Sequence, residues 1–284
     1  MSSSELGSRT SPTGWLRAGA RQLTRALPPS RRVKGLGNPK GRRLLQLRKL
    51  IAPVLQRPVV LTTSTGLRLR ITGDPVDEQI AQQVLGPHRG DYFPAWPNGT
   101  PSGVRILDVG AHHGLYAAAA LHEFPGSRIT CLEPSAAAAA CLAANLELNH
   151  FTSRARIVNA ALAPESGEGL LVHTDDGSWG FSLYEDASEA AVSERVTLIS
   201  LPDVLRGDRP DIVKCNAEGA EFALVEQLMA TDIRPELMII MVHPQFGDLD
   251  RLLAQCGEMG YRIVRGGTSE RPAFQLWRES GATR

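Results

Sequence analysis

From about residue 104 onwards, short apolar runs alternate with longer segments whose apolar positions recur every three or four residues. This alternation predicts strands at 104–109, 128–133, 155–159, 211–216, 236–242, 260–265 and 272–277, with helices at about 114–123, 135–149, 219–230 and 247–258. Strands and helices taking turns in this way predict an α/β fold, a doubly wound and mostly parallel sheet. The last two strands are joined by Gly266, Gly267 and a short polar loop, too little chain for a helical crossover, so they are expected to pair antiparallel. Upstream, the alternating stretch 58–71 reads as a β-hairpin turning near Ser64 to Gly66, followed by a helix over 77–85. The Pro-, Gly- and aromatic-rich stretch 86–103 is long for a loop, which makes it a candidate lid or substrate wall carrying His88, Tyr92, Phe93 and Trp96. Between 165 and 200, alternating segments at 169–173, 180–184 and 195–200 suggest added strands or a flap, with Trp179 at the central turn placed either over a ligand or under its own loop.

The stretch Val104 to Gly114 carries the clearest chemistry. A buried strand ending at Asp108 and Val109 breaks into the turn Gly110, Ala111, His112, His113 and Gly114, then enters an alanine-rich helix. Backbone amides at such a helix start suit a nucleotide-like ligand. A dinucleotide fingerprint needs a second glycine where this chain has His112, so a pyrophosphate is disfavoured, and with it an NAD-linked oxidoreductase. The next strand ends at Glu133, placed to take both hydroxyls of a ribose, and Asp108 supports the turn or attracts an ammonium group. A ribose-bearing ligand with a cationic tail and no pyrophosphate describes S-adenosylmethionine better than NAD. His112 and His113 are neighbours whose side chains are expected to point apart, and no further His, Cys or Asp spacing supports a metal, so none is expected.

Four blocks, Asp108 to Gly114, Glu133-Pro134 with Leu142 to Asn145 and Asn149, Val158 to Leu162, and Val213 to Glu221, resemble the FkbM family of S-adenosylmethionine-dependent methyltransferases. The likeness spans roughly residues 55–275. The last block is the most specific, since the family reads there like Ile-Lys-Ile-Asp-Val-Glu-Gly-Ala-Glu. The resemblance implies a seven-stranded Rossmann-like methyltransferase sheet of order 3-2-1-4-5-7-6, preceded by a small hairpin. It implies methyl transfer to a hydroxyl of a sugar, glycan or related metabolite. For the cofactor it implies Asp108, Gly110, Ala111, His112 and Gly114 at the methionine end, Glu133 at the ribose, and Asn159 and Ala160 near adenine. Ligands in open α/β sheets gather beyond the carboxyl ends of the strands, and there the chain offers Glu218 to bind or deprotonate the acceptor, His243 as a base or a plain loop histidine, and Asn216 to orient. Glu218 and Glu221, three residues apart at a helix start, are expected to face one side, although the helix dipole alone accounts for acids there. Two departures stand out: Asn216 replaces the family's aspartate, and Met241 stands where a glutamate often precedes the later histidine. They leave open a protein of the same fold that binds the cofactor without turning it over.

Composition adds bounds. The 284 residues are enough for one core plus an appendage, and 42% hydrophobic with 21% charged residues is ordinary for a globular protein. Cys131, Cys141, Cys215 and Cys256 lack zinc or disulfide spacing and read as reduced thiols; with no apolar run of spanning length and no signal-like start, a cytoplasmic location is expected. The net charge of +1 conceals an asymmetry, because residues 1–50 hold twelve Lys and Arg against Glu5, or +11, which leaves −10 on the rest. The expected organisation is therefore a basic flexible arm over 1–50 with a short helix at 42–51, an extension over 51–103, and a cofactor domain over 104–284. The arm is a solvated tail or a contact for an anionic membrane surface. Nucleic acid is not expected as a partner, since the arm offers only Trp15 for stacking and the remainder is acidic. The acceptor is expected to be a small molecule or glycan.

Overall fold

Two residues of each central strand decide which way its faces point. In the strands at 105–109, 212–215 and 237–241, Ile106, Ile212 and Ile239 enter one apolar cluster, while Leu107, Val213 and Met238 enter another on the opposite face. Side chains of successive residues point to opposite faces, so a sheet buried on both sides needs near-continuous apolar strands, as found here. A computed structural model describes residues 58–72, 75–86, 88–96, 99–173, 181–182, 192–266 and 273–279. The basic arm, its short helix, and Trp179 lie outside the described residues.

The elements run as follows. Strands β1 (Val59–Thr62) and β2 (Arg68–Ile71) pair antiparallel, and helices α1 (Pro75–Leu85) and α2 (Arg89–Tyr92) follow. Next come β3 (Arg105–Val109), α3 (Leu115–Glu123), β4 (Arg128–Leu132), α4 (Ala136–Leu148) and β5 (Ala155–Val158). An inserted group holds β6 (Ala161–Leu162), β7 (Gly167–His173), β8 (Phe181–Ser182) and β9 (Val192–Ile199), and α5 (Leu201–Leu205) leads back to the main sheet. The chain ends through β10 (Ile212–Cys215), α6 (Ala220–Met229), β11 (Leu237–Met241), α7 (Leu249–Glu258), β12 (Tyr261–Arg265) and β13 (Ala273–Arg278).

The main sheet has seven strands in the order β12-β13-β11-β10-β3-β4-β5. β13 is antiparallel to both its neighbours, and the other pairings are parallel. The insertion forms its own four-stranded sheet, β6-β9-β7-β8, and the single turn α5 is capped by Ser200, whose hydroxyl accepts from Asp203 N–H. That turn is too short for periodicity to reveal.

Among the described residues of the 86–103 stretch, the aromatics pack into the core and do not form a lid. Tyr92 and Phe93 are buried against Tyr116 and Phe124, and Trp96 packs edge-on to Trp277. Gln275 Nε2 donates to the carbonyls of Gly90 and Asp91, tying the segment to β13. The reason is hydrophobic: aromatic rings this large stabilise the fold most when they fill the gap beside the alanine-lined helix α3. His88 stays half-buried near Asp91. The hairpin joins the same core, through Leu61, Leu69 and Ile71. Its outer strand is gripped by two helix amides one turn apart: Asn145 bonds both backbone groups of Arg70, and Asn149 both those of Arg68. Side chains at i and i+4 of a helix thus match strand residues at i and i+2.

Candidate functional site

The cleft lies beyond the carboxyl ends of the parallel strands, where open α/β sheets place ligands. It encloses about 840 Å³ including its open mouth, bounded by the loops after β3, β4 and β10, by β6 and Leu171 of β7, and by Val76 and Ile80 of α1. Of the eight cofactor candidates, Gly110, His112, Glu133 and Ala160 line it.

The turn after β3 explains its own sequence. Gly110 sits at φ 73°, and a Cβ there would come within 2.1 Å of the Asn216 carbonyl oxygen, so only glycine lets the two loops approach. Gly114, at φ 75°, serves packing instead: a Cβ would meet Leu142 Cδ1 at 2.3 Å. Ala111 is buried, with its N–H on the Leu132 carbonyl. Glu133 staples the turn to the next strand end. Its Oε2 accepts His112 N–H at 2.7 Å and its Oε1 accepts Ser135 N–H at 3.0 Å. Burial pushes its carboxyl above the usual range, against the pull of those two amides, Lys214 and His113. Each carboxylate oxygen has two acceptor directions, so one on each remains for a ligand.

Besides Ala111 and Gly114, two further candidates lie outside the cleft lining. Asp108 is fully buried behind the turn, 2.8 Å from Lys214 Nζ, its neighbour in register on β10. Burial raises its pKa and the lysine opposes that. Lys214 also donates to the Gly110 carbonyl at 2.7 Å. Of the two roles open to Asp108, support of the turn is therefore the one its position allows. Asn159 is exposed and is not among the residues lining the cleft; its Nδ2 donates to the carbonyls of Glu133 and Pro134, both at 2.8 Å. It steadies the loop that presents Glu133, while its neighbours Ala160, Ala161 and Leu162 form the apolar wall.

His112 and His113 do not point apart. Their rings stack with centroids 3.8 Å apart and 23° between planes, and both Nδ1 atoms face the buried Asp77 of α1. His113 Nδ1 is 2.7 Å from Asp77 Oδ1, and His112 Nδ1 is 4.0 Å from it. The extended-chain expectation fails because His112 is left-handed, with φ 50°. Burial would raise the Asp77 pKa, but the hydrogen bond and charge of His113 and the bonds from Thr72 outweigh it and hold it below the ordinary value.

The catalytic candidates gather at the loop after β10. Asn216 and Glu218 line the cleft. Glu218 is left-handed at φ 38° and Gly219 at φ 101°, which turns the chain sharply into α6. Non-glycine residues in this region cost on the order of 1–3 kcal/mol, and two of the four among the described residues, His112 and Glu218, border this cleft. Glu221 is fully buried: Oε2 accepts Gly219 N–H at 2.8 Å, and Oε1 accepts His243 N–H at 2.6 Å and lies 3.1 Å from His243 Nδ1. His243 Nε2 is 3.9 Å from Glu218 Oε1. Glu218 and Glu221 thus do not share a solvent face; they meet His243 from its two ring nitrogens. Burial disfavours the imidazolium, yet the bond and charge of Glu221, with Glu218, hold the His243 pKa above its usual value. His243 stands behind Glu218 and is not among the residues lining the cleft. Sequence reading passed over Asp77 and the orienting role of Glu221; the latter's signal was its place in the first helical turn.

The model of the methyltransferase FkbM domain matches residues 108–263, more than half of the chain. No curated protein sequence matches. Among solved structures, the chain is similar to a putative methyltransferase, yhhF, from Escherichia coli, with 14% identity, 75% of this chain and 93% of that one covered, and a TM-score of 0.41. It is similar also to M. capricolum TrmK in complex with S-adenosyl-homocysteine, at 10% identity, 69% and 70% coverage and a TM-score of 0.42. A third is the precorrin-6y C5,15-methyltransferase from Geobacter metallireducens, at 13% identity, 63% and 81% coverage and a TM-score of 0.39. None of these structural likenesses bears on substrate.

Proposed function

The chain belongs to the FkbM methyltransferase family, and from that premise we propose that it moves a methyl group from S-adenosylmethionine to a hydroxyl oxygen of a sugar, glycan or related metabolite. The observation that carries the cofactor reading is Glu133, a carboxylate in the cleft wall whose two oxygens each accept one backbone N–H and keep capacity for a second donor, which supports a role in taking the ribose hydroxyls. The surrounding wall of Val76, Ile80, Ala160, Ala161 and Leu162 is apolar and suits an adenine ring, while no second glycine opens the turn to a pyrophosphate. The bound cofactor supplies an electrophilic methyl group.

The chain's own residues supply the acid–base part. Glu218, at the cleft, takes the proton of the acceptor hydroxyl, and His243 stands behind it as the next proton acceptor, across a gap of 3.9 Å that one water or a small side-chain turn closes. Glu221 fixes the His243 ring through Nδ1, leaving Nε2 towards Glu218. Asn216 offers an amide to orient the acceptor. The choice of a sugar-type acceptor rests on the family resemblance alone. The neutral amide of Asn216 favours a second reading, in which the chain binds the cofactor without transferring its methyl group.

Titration calorimetry with S-adenosylmethionine, S-adenosylhomocysteine and NAD tests the first step. Binding of both sulfur compounds and not of NAD is expected, and absence of binding by either sulfur compound removes the proposal. A methylation screen over cell-extract glycans and lipids then separates transfer from binding alone.

A further inference from the structure

The side chains of Asp77, His112 and His113 are given no step in the reaction above, although His112 lines the cleft and its N–H orients Glu133. We propose that their cluster is a binding site for a first-row divalent cation, zinc foremost, which fastens helix α1 to the turn after β3. One ligand atom from each of the three residues falls within 4.8 Å of the others. In a tetrahedral zinc site, bonds of 2.0–2.1 Å put neighbouring ligand atoms about 3.3 Å apart. The two separations from Asp77 Oδ1, 2.7 Å to His113 Nδ1 and 4.0 Å to His112 Nδ1, lie on either side of that value, and coordination requires the two stacked rings to turn out of their 3.8 Å stack so that both lone pairs point at one ion.

The surroundings are arranged as they are around a coordinated metal. Asp77 Oδ2 accepts both Thr72 N–H at 2.6 Å and Thr72 Oγ1–H at 2.8 Å, which orients the carboxylate and turns Oδ1 to the histidines. The backbones that carry the rings are fixed as well: His112 N–H is held by Glu133, and the His113 carbonyl accepts from Asn145 Nδ2 at 2.8 Å. Each ring coordinates as the neutral imidazole through Nδ1, its one proton on Nε2. Two imidazoles with one carboxylate suit zinc and its transition-metal neighbours, not the oxygen-seeking calcium or magnesium. Three protein ligands leave a fourth position for water; the side chains of His112 and His113 are 20% and 11% exposed, while His112 Nδ1 and Asp77 are buried, so a cation enters only as the rings turn outward.

The cation would act on the cleft without touching the reaction. Asp77 lies on α1, which contributes Val76 and Ile80 to the cleft, and His112 lies on the adjoining turn beside Gly110. Coordination joins the helix to the turn. This inference stands independently of the methyl-transfer reading.

The test uses the full chain after chelator treatment, titrated with zinc chloride by calorimetry and followed by thermal melting. One zinc per chain with a Kd below about 1 μM is expected, and a rise in Tm of roughly 5–10 °C at a hundredfold excess over Kd. His112→Asn keeps a residue that tolerates the left-handed turn; that variant and His113→Gln should each weaken zinc at least tenfold, the range of lost metal-site groups, with the metal-free Tm near that of the parent for His112→Asn and lower for His113→Gln, which removes the partner of the buried Asp77. A parent Kd weaker than about 10 μM, or equal binding by the double variant, overturns the proposal. Should the variants not fold, Co²⁺ titration of the parent decides. Visible d–d bands without a thiolate charge-transfer band support the imidazole site, whereas a thiolate band moves the cation to the cysteines and overturns it.

Discussion

The loops after β3 and β10 are built alike and do different things. Each leaves its strand through left-handed residues, each reaches a helix within a few residues, and each is pinned by a buried glutamate whose two oxygens take backbone amides from separate segments. Glu133 reaches the cleft with acceptor capacity to spare. Glu221 is fully enclosed and spends its remaining capacity on the His243 ring. One carboxylate therefore meets a ligand, while the other acts only through a histidine. The difference is one of placement in the sheet: Glu133 ends a strand beside the cleft, whereas Glu221 begins a helix packed under β11.

Lys214 joins the two loops, and breaking it should have the largest effect. Lys214→Met removes both the partner of the buried Asp108 and the donor to the Gly110 carbonyl. Loss of one member of a buried pair costs about 3–5 kcal/mol, to be read by urea unfolding. A loss below about 1 kcal/mol would show that the loops hold together without it.

Glu221→Gln sharpens the contrast from the β10 side. We expect kcat to fall by about 10²-fold, the lower range for general acid–base groups, with S-adenosylmethionine affinity within about threefold of the parent. The pH dependence gives a readout that a merely structural role would not move. Because Glu221 and Glu218 raise the His243 pKa against burial, activity requiring neutral His243 should climb with pH through a value above about 6.5. In Glu221→Gln that limb should move to lower pH. Stability follows the same sign: the ion-paired contribution is complete below the unfolded value of about 6.5 and fades as pH rises through the higher folded value. An unmoved limb would remove His243 from the proton path.

Glu133→Gln probes the other loop with a smaller expected effect. It turns one acceptor into a donor facing a backbone N–H and removes the charge at the cleft. Hydrogen bonds to charged groups contribute about 1.5–3 kcal/mol, so cofactor Kd should rise roughly 10- to 100-fold, with kcat at saturation within about threefold. Unchanged affinity by calorimetry would sink the ribose assignment.

The sequence alone determined the alternation of strand and helix, the turn at Gly110 to Gly114, and the residue types on the cleft's rim, because burial on two faces and a backbone turning tightly leave periodic and glycine signatures in the chain. In the main sheet strand ends shift by only a residue or so from their expected places, whereas in the insertion the strand expected from 195 begins three residues earlier, at Val192. The tertiary structure decided what those signatures could not carry. Asp108 and Asn159 both belong to the right motifs, yet one is turned behind the sheet to Lys214 and the other holds carbonyls, since strand register and loop path, not residue type, fix where a side chain points. The aromatic segment after residue 86 resembled a lid in composition, but buried area drew it into the core beside α3. Asp77 meets His113 across 36 residues only because α1 packs over the turn, and a contact of that kind leaves no spacing for a sequence to show.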